Sequence, residues 1–216
     1  MSDTNAYWNG ALKKYGLQDW IDKPTIFVEQ VARYLPKNGK VLELAAGQGQ
    51  DSRYLATLGF IVVCTDSNDY GLEEAKRKAR QEKLSLIFQK VDLAKHLPFA
   101  DGEFEAVYSH LGLHYFDKKH TVSLFSDIRR ILRPNGVFAA LFNTFDDPEI
   151  EGPDFEKVED YYYHEKPTGL FKRYFSVEAT KELISGLFKP IILDQEGLAY
   201  KDGGKKLVRL IAHPIR

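Results

Sequence analysis

Short apolar runs rich in β-branched and aromatic residues recur along the chain at positions 41–44, 60–65, 84–88, 106–108, 137–142, 191–193 and 207–212. Polar, helix-forming stretches separate most of them, at 24–35, 51–58, 72–82, 121–132 and 177–187. This alternation predicts a doubly wound α/β fold: a mostly parallel, seven-stranded sheet with helices on both faces. The early runs are continuously apolar, as strands covered on both faces are. The last two follow one another across Asp202-Gly203-Gly204, which predicts an antiparallel last strand.

Composition narrows the picture. At 216 residues the chain suits one domain, 1–216, with a core at 38–145 and a C-terminal helix and strand pair at 176–216. Thirty basic and 31 acidic residues give a net charge of −1, without the basic excess of a nucleic-acid binder. One cysteine, Cys64, excludes an internal disulfide and suits a reducing compartment. The N-terminus lacks the pattern of a secretory leader, and no apolar run approaches the ~18 residues of a membrane span. The cytoplasm is the expected location, with membranes and nucleic acids expected not to be partners. One stretch departs from the average. Between Asp146 and Asp160 stand eight acids and one base, Lys157, followed by Tyr161-Tyr162-Tyr163-His164. An insertion at 146–175 is too long for an ordinary connection and is either a cap over a site or a mobile loop.

Candidate chemistry gathers after the first strand, in Val41-Leu42-Glu43-Leu44-Ala45-Ala46-Gly47-Gln48-Gly49. Glycines there permit a tight turn and close approach of a ligand to the backbone at the carboxyl ends of the strands. A plain strand-to-helix turn explains the glycines equally well. A dinucleotide would place its pyrophosphate on the next helix N-terminus, and Glu43 and Asp51 oppose that. A carboxylate at Glu43 suits a cationic ligand such as S-adenosylmethionine, with its sulfonium and α-ammonium groups. Asp51 is explained as well by the helix macrodipole. Asp66 ends the second strand at the spacing of a ribose-binding acid, able to accept from both hydroxyls. Asp92, after the third strand, suits an adenine amino group or a simple turn.

These pieces resemble the class I S-adenosylmethionine-dependent methyltransferases of small-molecule type. The likeness runs through 41–49, Asp66-Ser67, Val91-Asp92-Leu93, Phe104-Glu105-Ala106-Val107-Tyr108-Ser109-His110 and Ile131-Leu132-Arg133-Pro134-Asn135-Gly136-Val137-Phe138, in the family's order and at its spacing. The resemblance implies S-adenosylmethionine as cofactor. It implies that Glu43, Ala45, Gly47 and Gly49 hold its methionine part, Asp66 and Ser67 its ribose, and Asp92 and Leu93 its adenine, with Ser109 near the sulfonium. Ala45 stands where the family usually has a glycine; alanine is the smallest replacement, and binding is expected to survive if the backbone there has φ < 0. Asn135 replaces a common glycine, and a left-handed Asn is expected to keep that turn. Residues 1–37, with Tyr7, Trp8, Tyr15 and Trp20, resemble the helical lid of small-molecule methyltransferases, including the tellurite-resistance type.

For the acceptor, His110 and His114 follow the fourth strand at the crevice and are the candidate base or positioning groups. Tyr161–Tyr163, His164, Arg173 and Tyr174 are candidates to line an acceptor site. The acidic insertion points to a small-molecule acceptor. The scattered histidines and lone cysteine show no metal-site spacing. Two rivals stand beside this reading. One is a nicotinamide-dependent oxidoreductase, against which Ser52 fills the third glycine position. The other is a non-catalytic S-adenosylmethionine-binding protein. Oligomeric state is not legible.

Overall fold

The structure is a computed structural model and describes residues 2–200 and 205–216. In chain order the first strands are β1 (Lys40–Glu43), β2 (Ile61–Asp66), β3 (Ile87–Lys90), β4 (Phe104–His110) and β5 (Leu132–Phe142). Three short strands follow in the insertion: β6 (Phe155–Glu159), β7 (Tyr162–Glu165) and β8 (Leu170–Arg173). The chain closes with β9 (Phe188–Gly197) and β10 (Leu207–Pro214). The helices are α1 (Ser2–Tyr15), α2 (Ile26–Ala32), α3 (Gln50–Thr57), α4 (Asp69–Gln81), α5 (Lys118–Ile131) and α6 (Val177–Leu183).

Seven strands form one sheet in the order β3-β2-β1-β4-β5-β10-β9. Only β10 reverses direction, pairing antiparallel with β5 and with β9. Consecutive residues of the central strands point to opposite faces. Val41, Val62, Ala106 and Tyr108 pack with Phe27, Val28 and Val31 of α2 and Leu55 of α3. Leu42, Val63 and Val107 pack with Leu124, Phe125 and Ile128 of α5 and Leu183 of α6. Both faces are covered, which is why these strands read as unbroken apolar runs. Strand order reverses between β1 and β4, and such a switch point opens a crevice at the carboxyl ends of the strands.

The structure shifts several boundaries. The third strand was expected at 84–88 but pairs only from Ile87, which lies opposite Val63. Lys83 ends α4 with φ 58°, and the Leu84 amide still bonds the Ala79 carbonyl, so the chain is free to pair only later. The expected left-handed Asn135 is not found. Residues 134–136 form a bulge in β5, between the pairs Phe104–Leu132 and Ala106–Val137. A Cβ on Gly136 would lie 2.9 Å from the Arg133 carbonyl, so the glycine serves packing there. The insertion is neither an open loop nor helical. After a 3₁₀ turn at Pro148–Glu151 it forms an antiparallel sheet in the order β6-β7-β8. The glycine-rich link 202–204 lies outside the described residues.

Candidate active site

The turn after β1 is built from three left-handed residues at alternating positions: Ala45 at φ 56°, Gly47 at 55° and Gly49 at 68°. The condition of a negative φ at Ala45 is therefore not met. An alanine accepts this conformation at a cost of about 1–2 kcal/mol. The environment holds it there: the Ala46 amide donates to the Thr65 carbonyl at 2.8 Å, and Gly112 lies against Ala45. A Cβ on Gly112 would come within 2.4 Å of the Ala45 methyl and 2.9 Å of Ser109 Oγ. A Cβ on Gly49 would meet Ala75 at 2.9 Å and the buried Cys64 Sγ at 3.3 Å.

Under this turn lie the acids. The Glu43 side chain is 3% exposed and accepts a hydrogen bond from the Ser52 hydroxyl. Burial, then the nearby Asp51, push its carboxyl well above the usual range. Asp51 is 1% exposed and accepts from the Thr25 amide at 2.8 Å, Thr25 Oγ1 at 2.8 Å and Tyr108 Oη at 2.6 Å. Burial raises its pKa too, against those donors. Thr25 also caps α2, accepting from the Val28 amide at 3.2 Å, so Asp51 ties α2, α3 and β4 together.

Asp66 braces the turn from β2. Its two carboxylate oxygens accept from the Gly47 and Asn68 amides, each at 2.8 Å. Ser67 beside it is exposed. Val91 donates its amide to the Asp66 carbonyl at 3.0 Å, which brings Asp92 and Leu93 to the same rim. Asp92 accepts from the Ala94 amide at 3.0 Å, and Leu93 is buried. Ser109 is buried and donates to the Leu44 carbonyl at 2.9 Å. Glu43, Ala45, Gly47, Gly49, Asp66, Asp92, Leu93 and Ser109 thus gather at the ends of β1 to β4.

Helix α1 covers this floor. Gln48 is 2% exposed and its Nε2 donates to the Leu12 carbonyl at 2.6 Å, while its Oε1 has no partner. Asn68 Nδ2 donates to Asn9 Oδ1 at 2.8 Å. Aromatic rings continue the cover in two rows. Tyr7 meets Trp8, Trp8 meets Tyr115 edge-on at 5.5 Å, and Tyr115 meets His114 at 4.3 Å. Tyr15 meets Trp20, Trp20 meets Tyr200 at 4.4 Å, and Tyr200 meets His110 at 5.1 Å. His114 Nδ1 and His110 Nε2 are buried without hydrogen-bond partners. Burial pushes both rings down to about 3, with Lys172, His110 and Lys205 adding to the effect on His114. Both are neutral at physiological pH.

The small sheet clamps the loop that carries His114. The Arg173 amide donates to the His114 carbonyl at 2.6 Å, its Nε to the Phe116 carbonyl at 3.0 Å and its Nη1 to the Asp160 carbonyl at 3.3 Å. Its remaining guanidinium nitrogen pairs with Glu159, which also accepts from the Lys118 amide at 2.7 Å. The other insertion candidates pack within this unit. Tyr161 contacts Phe145, Tyr163 contacts Tyr174, and His164 stacks on Phe171. Tyr162 Oη donates to the Tyr115 carbonyl, and Tyr174 Oη to Glu149.

Sequence reasoning missed Thr25, Tyr108, Gln48, Gly112 and Tyr200. A lone tyrosine in an apolar strand and a glycine two residues past its end were the signals for Tyr108 and Gly112.

Residues 41–136 match the model of a family described as a methyltransferase domain. The chain is similar to an uncharacterized methyltransferase of Synechocystis, 31% identical over 158 residues, covering 73% of this chain and 66% of that protein. It spans under half of the mycobacterial and Bacillus relatives it matches. A Pyrococcus horikoshii protein shares the fold at TM-score 0.72 and 22% identity, covering 87% of each chain. A Burkholderia thailandensis 1,6-didemethyltoxoflavin N1-methyltransferase does so at TM-score 0.74 and 17% identity, covering 100% of this chain and 88% of that one.

Proposed function

We propose that the chain is a class I S-adenosylmethionine-dependent methyltransferase that carries a methyl group from S-adenosylmethionine to a small-molecule acceptor. The observation that carries this is the left-handed turn from Ala45 to Gly49, braced by Asp66 at the reversal of strand order. The Burkholderia protein's crystal structure holds S-adenosylhomocysteine with its acceptor, which supports the same use of the fold.

The residues fit the donor. Gln48 Oε1 is a buried acceptor without a partner, placed to take a hydrogen bond from a ligand. The Asp66 oxygens accept the Gly47 and Asn68 amides, and a carboxylate's remaining lone-pair capacity can take a ribose hydroxyl. Asp92 and Leu93 serve the adenine rim, with Ser67 at the ribose. Glu43, Asp51 and Ser109 hold the turn from beneath. When bound, the donor supplies an activated methyl group on a positive sulfonium. The chain's own work is to hold the acceptor close and aligned and to exclude water. Trp8, Tyr15 and Trp20 do the second from the lid, and His110 and His114 orient the acceptor. A histidine held near 3 is a hydrogen-bond partner rather than a strong base. The acidic insertion, with eight acids and one base in 15 residues, favours small acceptors over nucleic acid.

A thermal-shift comparison tests the reading. S-adenosylhomocysteine at ~100 times its Kd should stabilise by about 2.7 kcal/mol. NAD and NADP should give no shift. A shift with NAD and none with S-adenosylhomocysteine overturns the proposal in favour of an oxidoreductase. No described helix is long and apolar enough to cross a membrane.

A further inference from the structure

The two rows of rings end on two histidines whose buried ring nitrogens have no hydrogen-bond partner among the described residues. Tyr7, Trp8, Trp20, Tyr115 and His110 are each half-buried, and Tyr15 and Tyr200 are exposed, so the rings form the outer face of the cover rather than a sealed core. Behind them His114 is 3% exposed, with Nδ1 unpartnered, and His110 Nε2 is likewise buried and unpartnered. Leaving such an atom unpaired carries its full desolvation penalty, which a ligand's hydrogen bond recovers. Aromatic walls with a few convergent polar atoms are the usual make-up of a small-molecule site.

Charge narrows the ligand further. The cations that His114 senses, Lys172 and Lys205, already hold their own counter-ions, Glu165 at 2.9 Å and Asp147. Both histidines are neutral. An anionic ligand group would find both lysines already paired, and a cationic one would face the same lysine field that depresses His114. A flat, neutral ligand instead stacks or meets edges with the rings at little entropic cost.

We propose that the acceptor is a planar, uncharged aromatic compound that presents an N–H or O–H edge to His110 and His114 between the two rows of rings. This rests on the methyl-transfer reading and adds the substrate class. The heteroatom's lone pair forms the bond to the methyl carbon, and the carbon–sulfur bond breaks with its electron pair staying on sulfur. The proton on the heteroatom, made strongly acidic by the charge it has gained, passes to the facing ring nitrogen and then to water. A weak base suffices for so acidic a proton.

Isothermal titration with four probes tests this on the full chain, with S-adenosylhomocysteine present. Quinazolin-4-one is planar, neutral and bears an N–H. Cyclohexanol is neutral but saturated, benzoate is planar but anionic, and benzylamine carries a cation. Quinazolin-4-one is expected to bind saturably and the others at least tenfold more weakly. His114→Leu and His110→Leu should each weaken it about tenfold and leave S-adenosylhomocysteine binding intact, with His114→Gln recovering part of the loss. Equal binding of cyclohexanol or of either ionic probe, absence of quinazolin-4-one binding, or unchanged affinity in both leucine variants overturns the proposal. Titrating S-adenosylhomocysteine alone reads the methyl-transfer assignment separately, because neither leucine variant alters the turn after β1 or the Asp66 brace.

Discussion

The floor of the crevice and its cover are built in opposite ways. The floor lies within residues 40–112 and is fixed by backbone: left-handed residues, a glycine without room for a Cβ, and carboxylates that accept main-chain amides. The cover comes from α1, the loop at 111–117, the small sheet at 155–173 and Tyr200, and it is held by ring edges and one clamping arginine. The floor allows almost no substitution of shape, while the cover can change its rings without touching the turn. One scaffold can thus keep a fixed ligand below and vary the one above.

Breaking the floor should break the molecule. Asp51→Ala removes the acceptor for three buried donors, each worth about 1–3 kcal/mol when left unmade, so a loss of 3 kcal/mol or more is expected. Urea unfolding measures it, and a loss under 1 kcal/mol would show that the floor is not held by this acid. Arg173→Met tests the cover. It frees the Phe116 and Asp160 carbonyls and should cost about 2 kcal/mol. Here S-adenosylhomocysteine affinity should stay within twofold while turnover of any identified acceptor falls. Equal damage to both would mean that floor and cover are one unit.

Proton linkage separates the two regions by sign. Buried His110 and His114 titrate near 3 in the folded chain against about 6.5 unfolded. Their stabilisation is complete above pH 6.5 and is lost as pH falls through that window, by up to about 1.4 kcal/mol per pH unit for each ring. Glu43 acts oppositely: its raised pKa holds a proton that the unfolded chain has released, so stability falls as pH rises past the usual carboxylate range. His114→Leu should flatten the acid limb and Glu43→Gln the upper one, read as unfolding free energy between pH 4.5 and 8. A steeper acid limb in the histidine variant would reverse the assignment.

The smallest effect is expected at Ala45. Glycine relieves the left-handed penalty and adds chain entropy to the unfolded state, for a net gain of up to about 1 kcal/mol. A loss on Ala45→Gly would show that the methyl's contact with Gly112 outweighs the backbone strain.

What was legible in the sequence follows the same division. Strand order and turn position were readable because apolar runs, glycines and strand-end acids report local backbone needs within a few residues. The sign of φ at Ala45 was not legible because the contact that enforces it comes from Gly112, 67 positions later. Asn135 was misread because the segment bends as a bulge within β5, with no left-handed residue. The partners of Asp51 were invisible for a similar reason: Thr25 and Tyr108 meet it only once α2 and β4 have packed. In the insertion, eight acids hid three strands whose apolar contacts come from rings at 161–163, 171 and 174.

The position of Cys64 has a practical consequence. It lies within β2, buried, with Gly49 packed against its sulfur, and burial pushes the thiol well above its ordinary range. Thiolate is the reactive form, so this sulfur should be inert to alkylating reagents and mild oxidants in the folded chain. It is the chain's single cysteine. The molecule therefore supplies its own silent background for spectroscopy: a cysteine introduced at an exposed site on α1 and another on β8 would be the two that take a label. The distance between a dye on each would then follow the opening of the crevice as ligands come and go.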